Sequence, residues 1–558
     1  MNTPQRESWN TIRSNFLLPL LFISCLGAET IDAKTYQWTD EDGNTHYSDR
    51  PPPKQPSAIT EKSQSTSNKG DGDSSATLTD EAHTNAYVTP KNAGYSQSIV
   101  PNVRRLLKTR RYQELNQLLA SYQIDTEKDI LAEERLFTAY DAFGSGEKSL
   151  RSLLDEWVNT TPDQYQPYLA RASYLYHLGW RARGGKWASE TKEQQFTKMG
   201  ELFQEASKDL AIVLEKNKKS LVPYIYTMGI AKAFGMNEKT GIIAAQALQI
   251  EPTSFKIREY YMGALSPRWG GSLQQMQKFA IKSQHYAEKN KKLKLLQGLP
   301  YAEAASKSSS ARAYQKAEKT YNKALSYGED HKILQKRGNN RYQLKEYDKA
   351  LQDLDRAIAL FPDAGRYFIS RSKIHVKLGR YEDAVADGKR ARLLEPTDAT
   401  IQRMLEWLAR QGERKGYELK KAGKPTEALS AFNASLSLQP DNAELLLRRA
   451  RIHIDLQQLD KALADLEKSI ELDPANISSY SLIDWVLTRR KAWNEIISYW
   501  DKFIAQRPDI SSAYVERGGA YYRKGDMASA VRDAKKAAEM GDERGKEAYE
   551  KFKHLAGE

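Results

Sequence analysis

Five prolines place the strongest constraint on what this chain can fold into. Pro362, Pro396, Pro440, Pro474 and Pro508 follow one another at spacings of thirty-four, forty-four, thirty-four and thirty-four. Each closes a segment in which small and aromatic residues recur at fixed offsets. In ILQKRGNNRYQLKEYDKALQDLDRAIALFPD the markers are Gly338, Tyr347, Ala350, Leu354, Ala357 and Pro362. The following segments carry Tyr381, Ala384 and Ala391, then Gly416, Ala428 and Phe432, then Ala450, Ala462 and Leu466. Two closely packed helices need small residues where they cross, and proline cannot continue the second helix. Such a unit buries its apolar face only against its neighbours, so the period predicts an all-α solenoid.

These landmarks resemble the tetratricopeptide repeat, over about residues 298–545. The last unit keeps Gly518, Ala530 and Ala537 without a closing proline, and 546–558 reads as a C-terminal capping helix. Ten additional residues around IQRMLEWLAR precede Gly416. In the family the first helix of each unit lines a groove, and the second, fifth, ninth, twelfth and thirteenth positions face the partner. With the glycine or its equivalent as position eight, the resemblance assigns to that groove Asn339, Lys373, Lys377, Tyr417, Lys420, Lys421, Arg451, Arg489, Tyr522 and Arg523. Seven of these are cations, which implies a protein partner presenting an acidic peptide, or an anionic polymer. Lys373 stands where the family's carboxylate clamp would have a second asparagine, so capture of a free C-terminal carboxylate is not expected.

The chain begins differently. Residues 1–33 carry Arg6 and Arg13, the eleven-residue run FLLPLLFISCL, and small residues after it. As helix that run rises only about 16 Å, about half a bilayer core, which predicts a cleaved signal peptide and a periplasmic or cell-envelope location. Cleavage after Ala28 or Ala33 leaves a mature chain without cysteine; the alternatives are lipidation of Cys25, the single cysteine, with weak membrane association, or an uncleaved anchor. Residues 34–53 alternate aromatic and polar residues around Asp42-Gly43, predicting a β-hairpin with Trp38 facing Tyr47. The pattern YQWTDEDGNTHYSDRPP resembles domain of unknown function 4124, a small bacterial envelope module. Residues 54–95 are Ser, Thr, Lys, Gly and Asp with almost no apolar periodicity, and are expected to be a disordered linker.

Between 96 and 297 helical patterning continues with a looser period. WRARGGKWASET and YYMGALSPRWGGS resemble domain of unknown function 4034, a helical region found beside tetratricopeptide arrays. Two readings fit these segments. Arg181, Arg183, Arg268 and Trp269 form an anion or carbohydrate pocket, or Trp180, Trp187 and Trp269 fill helix junctions while Gly270 and Gly271 turn the chain.

Catalytic signatures are thin. FGSGEKS lacks the spacing of a phosphate loop, and neither HExxH nor GxSxG occurs. His375 and His453 share the eleventh repeat position and read as core residues. With one cysteine there is no cysteine-based zinc cage, and no metal or cofactor is expected. The 85 basic and 72 acidic residues are scattered, which gives a basic surface without a nucleic-acid arm. The reading is an exported scaffold for protein–protein interaction without catalysis; the alternatives are a saccharide-binding or saccharide-processing protein with a site in 96–297, and a membrane-tethered assembly factor.

Overall fold

Apolar periodicity from residue 98 onward is realised as helix after helix. The computed structural model describes residues 98–185 and 190–557, together with the backbone of two strands. The expected leader, Cys25, the linker 54–95 and Trp187 lie outside the described residues. The strands β1 (Tyr36–Thr39) and β2 (Thr45–Ser48) pair antiparallel with Trp38 opposite His46 and Gln37 opposite Tyr47. This corrects the expected Trp38–Tyr47 pair. Register follows loop length, and the paired ends Thr39 and Thr45 enclose five residues where a two-residue turn requires a different partner for every strand position.

The first helices are α1 (Ile99–Lys108), α2 (Tyr112–Lys128), α3 (Glu133–Asp141) and α4 (Ser149–Thr160). They continue as α5 (Gln166–Arg183), α6 (Glu193–Lys216), α7 (Val222–Ala233), α8 (Asn237–Ile250), α9 (Phe255–Ala264) and α10 (Leu273–Ser283). From there antiparallel pairs succeed one another: α11 (Leu299–Ser310) with α12 (Tyr314–Leu325), α13 (His331–Gln343) with α14 (Tyr347–Leu360), α15 (Gly365–Lys377) with α16 (Tyr381–Leu394). Next come α17 (Ala399–Lys421) with α18 (Pro425–Leu438), and α19 (Ala443–Asp455) with α20 (Leu459–Leu472). The array ends in α21 (Ile477–Arg489) with α22 (Trp493–Gln506), α23 (Ser511–Lys524) with α24 (Met527–Glu539), and α25 (Glu543–Ala556). The ten additional residues lengthen α17 at its N-terminal side.

Local chemistry sets the helix starts. Asp330, Asp398, Asn442, Asn476 and Asp542 each accept a backbone N–H of the first turn that follows, the usual N-cap arrangement. Small residues mark the crossings. A Cβ at Gly416 would come within 2.8 Å of Phe432, so glycine there allows α17 and α18 to touch.

A second periodic device joins the pairs. Arg337, Arg371, Arg449 and Arg517 each hold an aspartate sixteen residues on, namely Asp353, Asp387, Asp465 and Asp533, through two N–H···O bonds of 2.6–2.9 Å. The same guanidinium reaches back to the preceding unit, to Asn322, Asp355, Asn433 and Asp501 respectively. Each rung therefore ties three helices. Arg171 of α5 makes the same arrangement with Asp209 of α6 and Asp155 of α4, so the looser N-terminal region is built on one plan with the array. The rung is missing at α21 and α22, where Ile483 and Tyr499 hold the equivalent places, and at α17 and α18, where Lys415 and Ala431 do. There a cavity of about 340 Å³ opens, lined by Tyr381, Lys415, Thr426, Ser430 and Ala431.

The N-terminal helices return to the array and close it. Asp363 accepts from the backbone N–H of Ile99 at 3.0 Å, from that of Val100 at 3.4 Å, and from the Ser98 hydroxyl. It caps α1 from far along the chain, and is available because Ala364, not an Asx residue, holds the local N-cap place of α15. Arg104 of α1 donates to the Leu394 carbonyl at the end of α16 (2.6 Å) and to the Ala142 carbonyl (2.7 Å). One continuous apolar core runs through this contact, from Val103 and Leu107 to Leu394, Ile401 and Leu405.

Candidate functional site: the wall of first helices

All ten residues assigned to a groove lie on the first helices of their units: Asn339 on α13, Lys373 and Lys377 on α15, Tyr417, Lys420 and Lys421 on α17, Arg451 on α19, Arg489 on α21, Tyr522 and Arg523 on α23. Consecutive first helices are bridged by Lys420–Asp455 (3.0 Å) and Arg448–Glu413 (3.1 Å). The wall continues to the cap through Arg544–Glu516 and through Tyr522, stacked on Phe552 at 4.8 Å.

The cations on this wall are not equivalent. Lys420 is neutralised by Asp455. Lys421 lies over the Tyr417 ring at 4.9 Å, Arg489 over Trp485 at 3.5 Å and Arg523 over Trp493 at 5.9 Å. Lys377 and Arg451 are exposed, and among the described residues neither has an ion-pair partner. Lys373 is half-buried, and burial holds its ammonium below the ordinary lysine value. Tyr522, engaged by Phe552 and by Lys551 at 5.4 Å, offers little free ring.

Sequence reasoning passed over Trp485. It is 36% exposed and holds position nine of its unit, one repeat period beyond Arg451. Arg451 in turn stands one period beyond Tyr417, which is 48% exposed. Position nine thus presents an aromatic, a cation and an aromatic on three successive units. The count that selected Tyr417 and Arg451 also points to Trp485; attention to charge alone hid it.

His375 and His453 sit against the rungs, each with its Nε2 3.8 Å from the aspartate of its own unit, Asp387 and Asp465. The FGSGEKS segment has a packing role. The ring of His177 lies where a Cβ at Gly144 would stand, within 2.5 Å, and Arg181 blocks a Cβ at Gly146, whose φ is +76°.

A charged hub occupies the inside of the N-terminal coil. Lys256 of α9 bonds Glu134 of α3 at 2.9 Å and Glu259 at 3.2 Å, and Lys332 of α13 bonds Glu259 at 2.5 Å. Burial works against the charge of Glu134, but Lys256 and its neighbours outweigh it and hold the carboxyl down to about 2. Beside it, Glu133 accepts from Ser254 Oγ (2.6 Å) and from the backbone N–H of Phe255 and Lys256 (2.9 and 3.1 Å), capping α9; burial pushes it up to about 7. One helical face further along, Asp141 accepts from the Tyr226 hydroxyl at 2.9 Å, and His177 is pushed down to about 4 by burial, so it is neutral. Among the described residues no cluster of His, Cys, Asp and Glu is arranged to hold a metal.

Of the pocket residues anticipated in 96–297, Arg181 is committed to the Gly144 carbonyl and Thr397. Arg183 lies over Trp180 and Phe196, each at nearly 6 Å, with further interactions. Arg268 pairs with Glu303, and Trp269 meets Trp180 edge-on at 5.9 Å.

Family models match this chain in three zones. Domain of unknown function 4124 matches residues 22–75, domain of unknown function 4034 matches 100–241 and 242–297, and tetratricopeptide-repeat models match 336–399, 419–483 and 497–544. The C-terminal half is a tetratricopeptide-repeat array. Among curated proteins, the Hsp70-Hsp90 organizing protein of Triticum aestivum is 24% identical over 207 residues, 36% of this chain and 34% of that protein. The small glutamine-rich tetratricopeptide repeat-containing protein 2 of Saccharomyces cerevisiae is 27% identical over 140 residues, 25% of this chain and 35% of that protein. The match thus spans about a third of the length of these relatives. Among solved structures, MamA aligns at 20% identity over 33% of this chain and 94% of its own, with a TM-score of 0.23.

Proposed function

We propose that this protein is an exported cell-envelope scaffold, without catalysis of its own, that captures an acidic segment of a partner protein along the first-helix wall of α17 to α23. The observation that carries the reading is the position-nine series Tyr417, Arg451, Trp485, flanked by Lys421 and Arg489 on the aromatic faces. Aromatic rings overlaid by cations supply contact area and positive charge together. The apolar run Phe16–Leu26 supports export, and the repeat-containing relative named for organising Hsp70 and Hsp90 supports a protein as partner.

Exposed ionic contacts are worth up to about 1 kcal/mol each, so binding depends on several together and weakens with salt. A fluorescein-labelled glutamate-rich peptide binds the full mature chain in anisotropy titrations, and Lys421→Glu, Arg451→Glu and Arg489→Glu together abolish binding at 0.15 M salt with helicity unchanged. Binding that survives both the triple reversal and 0.5 M salt refutes the wall as the site. For location, mass spectrometry of the mature protein finds a start near Glu29 or Lys34; an intact Met1 refutes cleavage.

A further inference from the structure

The solvent-facing aromatic rings of this protein stand in register. Among the described residues, Tyr417 and Trp485 are the two phenylalanine, tyrosine or tryptophan side chains that are exposed, at 48% and 36%. Both hold position nine, two units apart, and Arg451 holds it between them. Arg451 is exposed, with no ion-pair partner among the described residues. One unit before Tyr417 the same position is Lys373, and one unit past Trp485 it is Gly519. The order along the wall is therefore cation, aromatic, cation, aromatic, and the series ends at a glycine.

The helices that carry this order are packed in succession. Arg366 of α15 pairs at 3.2 Å with Asp398, the cap of α17. Lys420–Asp455 and Arg448–Glu413 join α17 to α19, and Ala450 of α19 shares one apolar core with Ile483 of α21. Packed helices lie about 8–10 Å apart, so position nine is offered to a partner at about that interval. A polyproline II segment advances about 9 Å in three residues and brings every third side chain back to one face. A β-strand returns a side chain to one face after about 7 Å or about 13 Å, which misses the interval. An α-helix meets it only with a seven-residue repeat, and needs about twenty-two residues of straight rod to cross four units. Stacked repeats turn from one unit to the next, and a rod does not follow them.

We propose that the wall reads a partner segment in the polyproline II conformation in which an acidic residue has an apolar residue three places before it and three places after it. The acidic residue meets Arg451, and the apolar ones lie on Tyr417 and Trp485. A second acidic residue, three places beyond the apolar residue on Tyr417, falls at Lys373. The cations over the two rings, Lys421 and Arg489, disfavour a basic residue at the apolar places. This inference rests on the reading of the wall as the capture site for an acidic segment, and adds the spacing that the segment must have.

Two fluorescein-labelled peptides of identical composition test it in anisotropy titrations of the full mature chain: EPSLPSEPSLPSE, with leucine three places from the central glutamate, and EPLSPSEPSPLSE, with leucine four places from it. The first binds about tenfold more tightly, the gain expected of two partly buried leucines. Tyr417→Ala with Trp485→Ala brings the two peptides to equal affinity while the circular dichroism spectrum is unchanged. Arg451→Glu reverses the central preference, so that the first peptide binds more tightly with lysine in place of its central glutamate. Equal binding of the two peptides by the parent chain overturns the spacing, as does tighter binding of a helical peptide carrying the same groups at seven-residue intervals. In either case the glutamate-rich peptide still binds and the wall remains the site. Loss of that peptide's binding as well removes the wall, and the spacing with it.

Discussion

The repeat array and the coil before it both bury charge, and they do so on different plans. In the array an arginine meets an aspartate sixteen residues on, and the contact recurs at Arg337, Arg371, Arg449 and Arg517. Each rung concerns neighbouring helices only, so units can be added or lost without redesign. In the coil Glu134, Lys256, Glu259 and Lys332 join α3, α9 and α13, helices far apart in sequence, and the network occurs once. The array's charges fix the spacing of a repeated wall, whereas the coil's charges fix one closed shape. Closure seals the start of the coil against the array at Asp363 and Arg104, and the array keeps an open wall.

The largest effect expected from breaking this contrast is at a rung. Asp465 is nearly buried, and its loss strands the Arg449 guanidinium, so Asp465→Ala lowers stability to urea by about 3 kcal/mol. Replacing both partners, Arg449→Met with Asp465→Leu, costs far less because no charge is left unpaired. A single change that costs as little as the double one refutes the rung as a structural tie.

Next in size is the closure. Asp363→Ala removes the distant cap of α1 and costs about 2 kcal/mol at most. Hydrogen exchange speeds up at the Ile99 and Val100 amides while the amides of α19 to α24 keep their protection. Faster exchange spread evenly along the array means that closure does not separate the two regions.

Much of the array was legible because its signals are periodic. The glycines and alanines at crossings, the prolines and the capping Asx residues each recur with the unit, and the period by itself places Asn339 through Arg523 on first helices. The rungs were equally periodic and were passed over, since arginine and aspartate are common on exposed helix faces. The closure was not legible. Nothing in the sequence near Asp363 points back to Ile99 and Val100, and the non-Asx residue at Ala364 does not single that unit out, because Ile510 holds the same place before α23. The half-buried Lys232 of α7, whose Nζ lies 4.8 Å from the ring centroid of Tyr260 and 4.9 Å from that of Trp269, was missed because the looser spacing of 96–297 gives no position count, and the arginines drew attention that the structure gives to backbone carbonyls and Glu303. The hairpin register failed for a simpler reason: a strong turn dipeptide does not fix loop length.

A smaller effect with the opposite sign is expected at Lys232. Burial places its folded value near 8, below the unfolded value of 10.5. The charge therefore costs stability fully below pH 8, and the cost fades as pH rises from 8 toward 10.5. Lys232→Met gains about 1.5 kcal/mol at pH 7, less than the full shift implies, because the contacts with Tyr260 and Trp269 are also lost. Melting curves of the two proteins converge by pH 10.5, and a gap independent of pH would assign the gain to packing.

The smallest effect tests whether a rung can be restored. Lys415 and Ala431 stand one repeat period before Arg449 and Asp465, and the cavity of about 340 Å³ there leaves room for a larger side chain at 431. Lys415→Arg with Ala431→Asp recreates the bidentate pair between α17 and α18. The third contact is not recreated, because the lengthened α17 puts Ala399 sixteen residues upstream, where the Arg449 rung has Asn433. With two of three helices tied, the gain is about 1 kcal/mol. Ala431→Asp alone leaves a carboxylate facing a lysine, which lacks the planar fork needed for two parallel bonds, so it gains less than the pair. If the double variant melts below the parent, desolvation outweighs the bond at this junction, and the missing rung is a gap that the lengthened α17 requires.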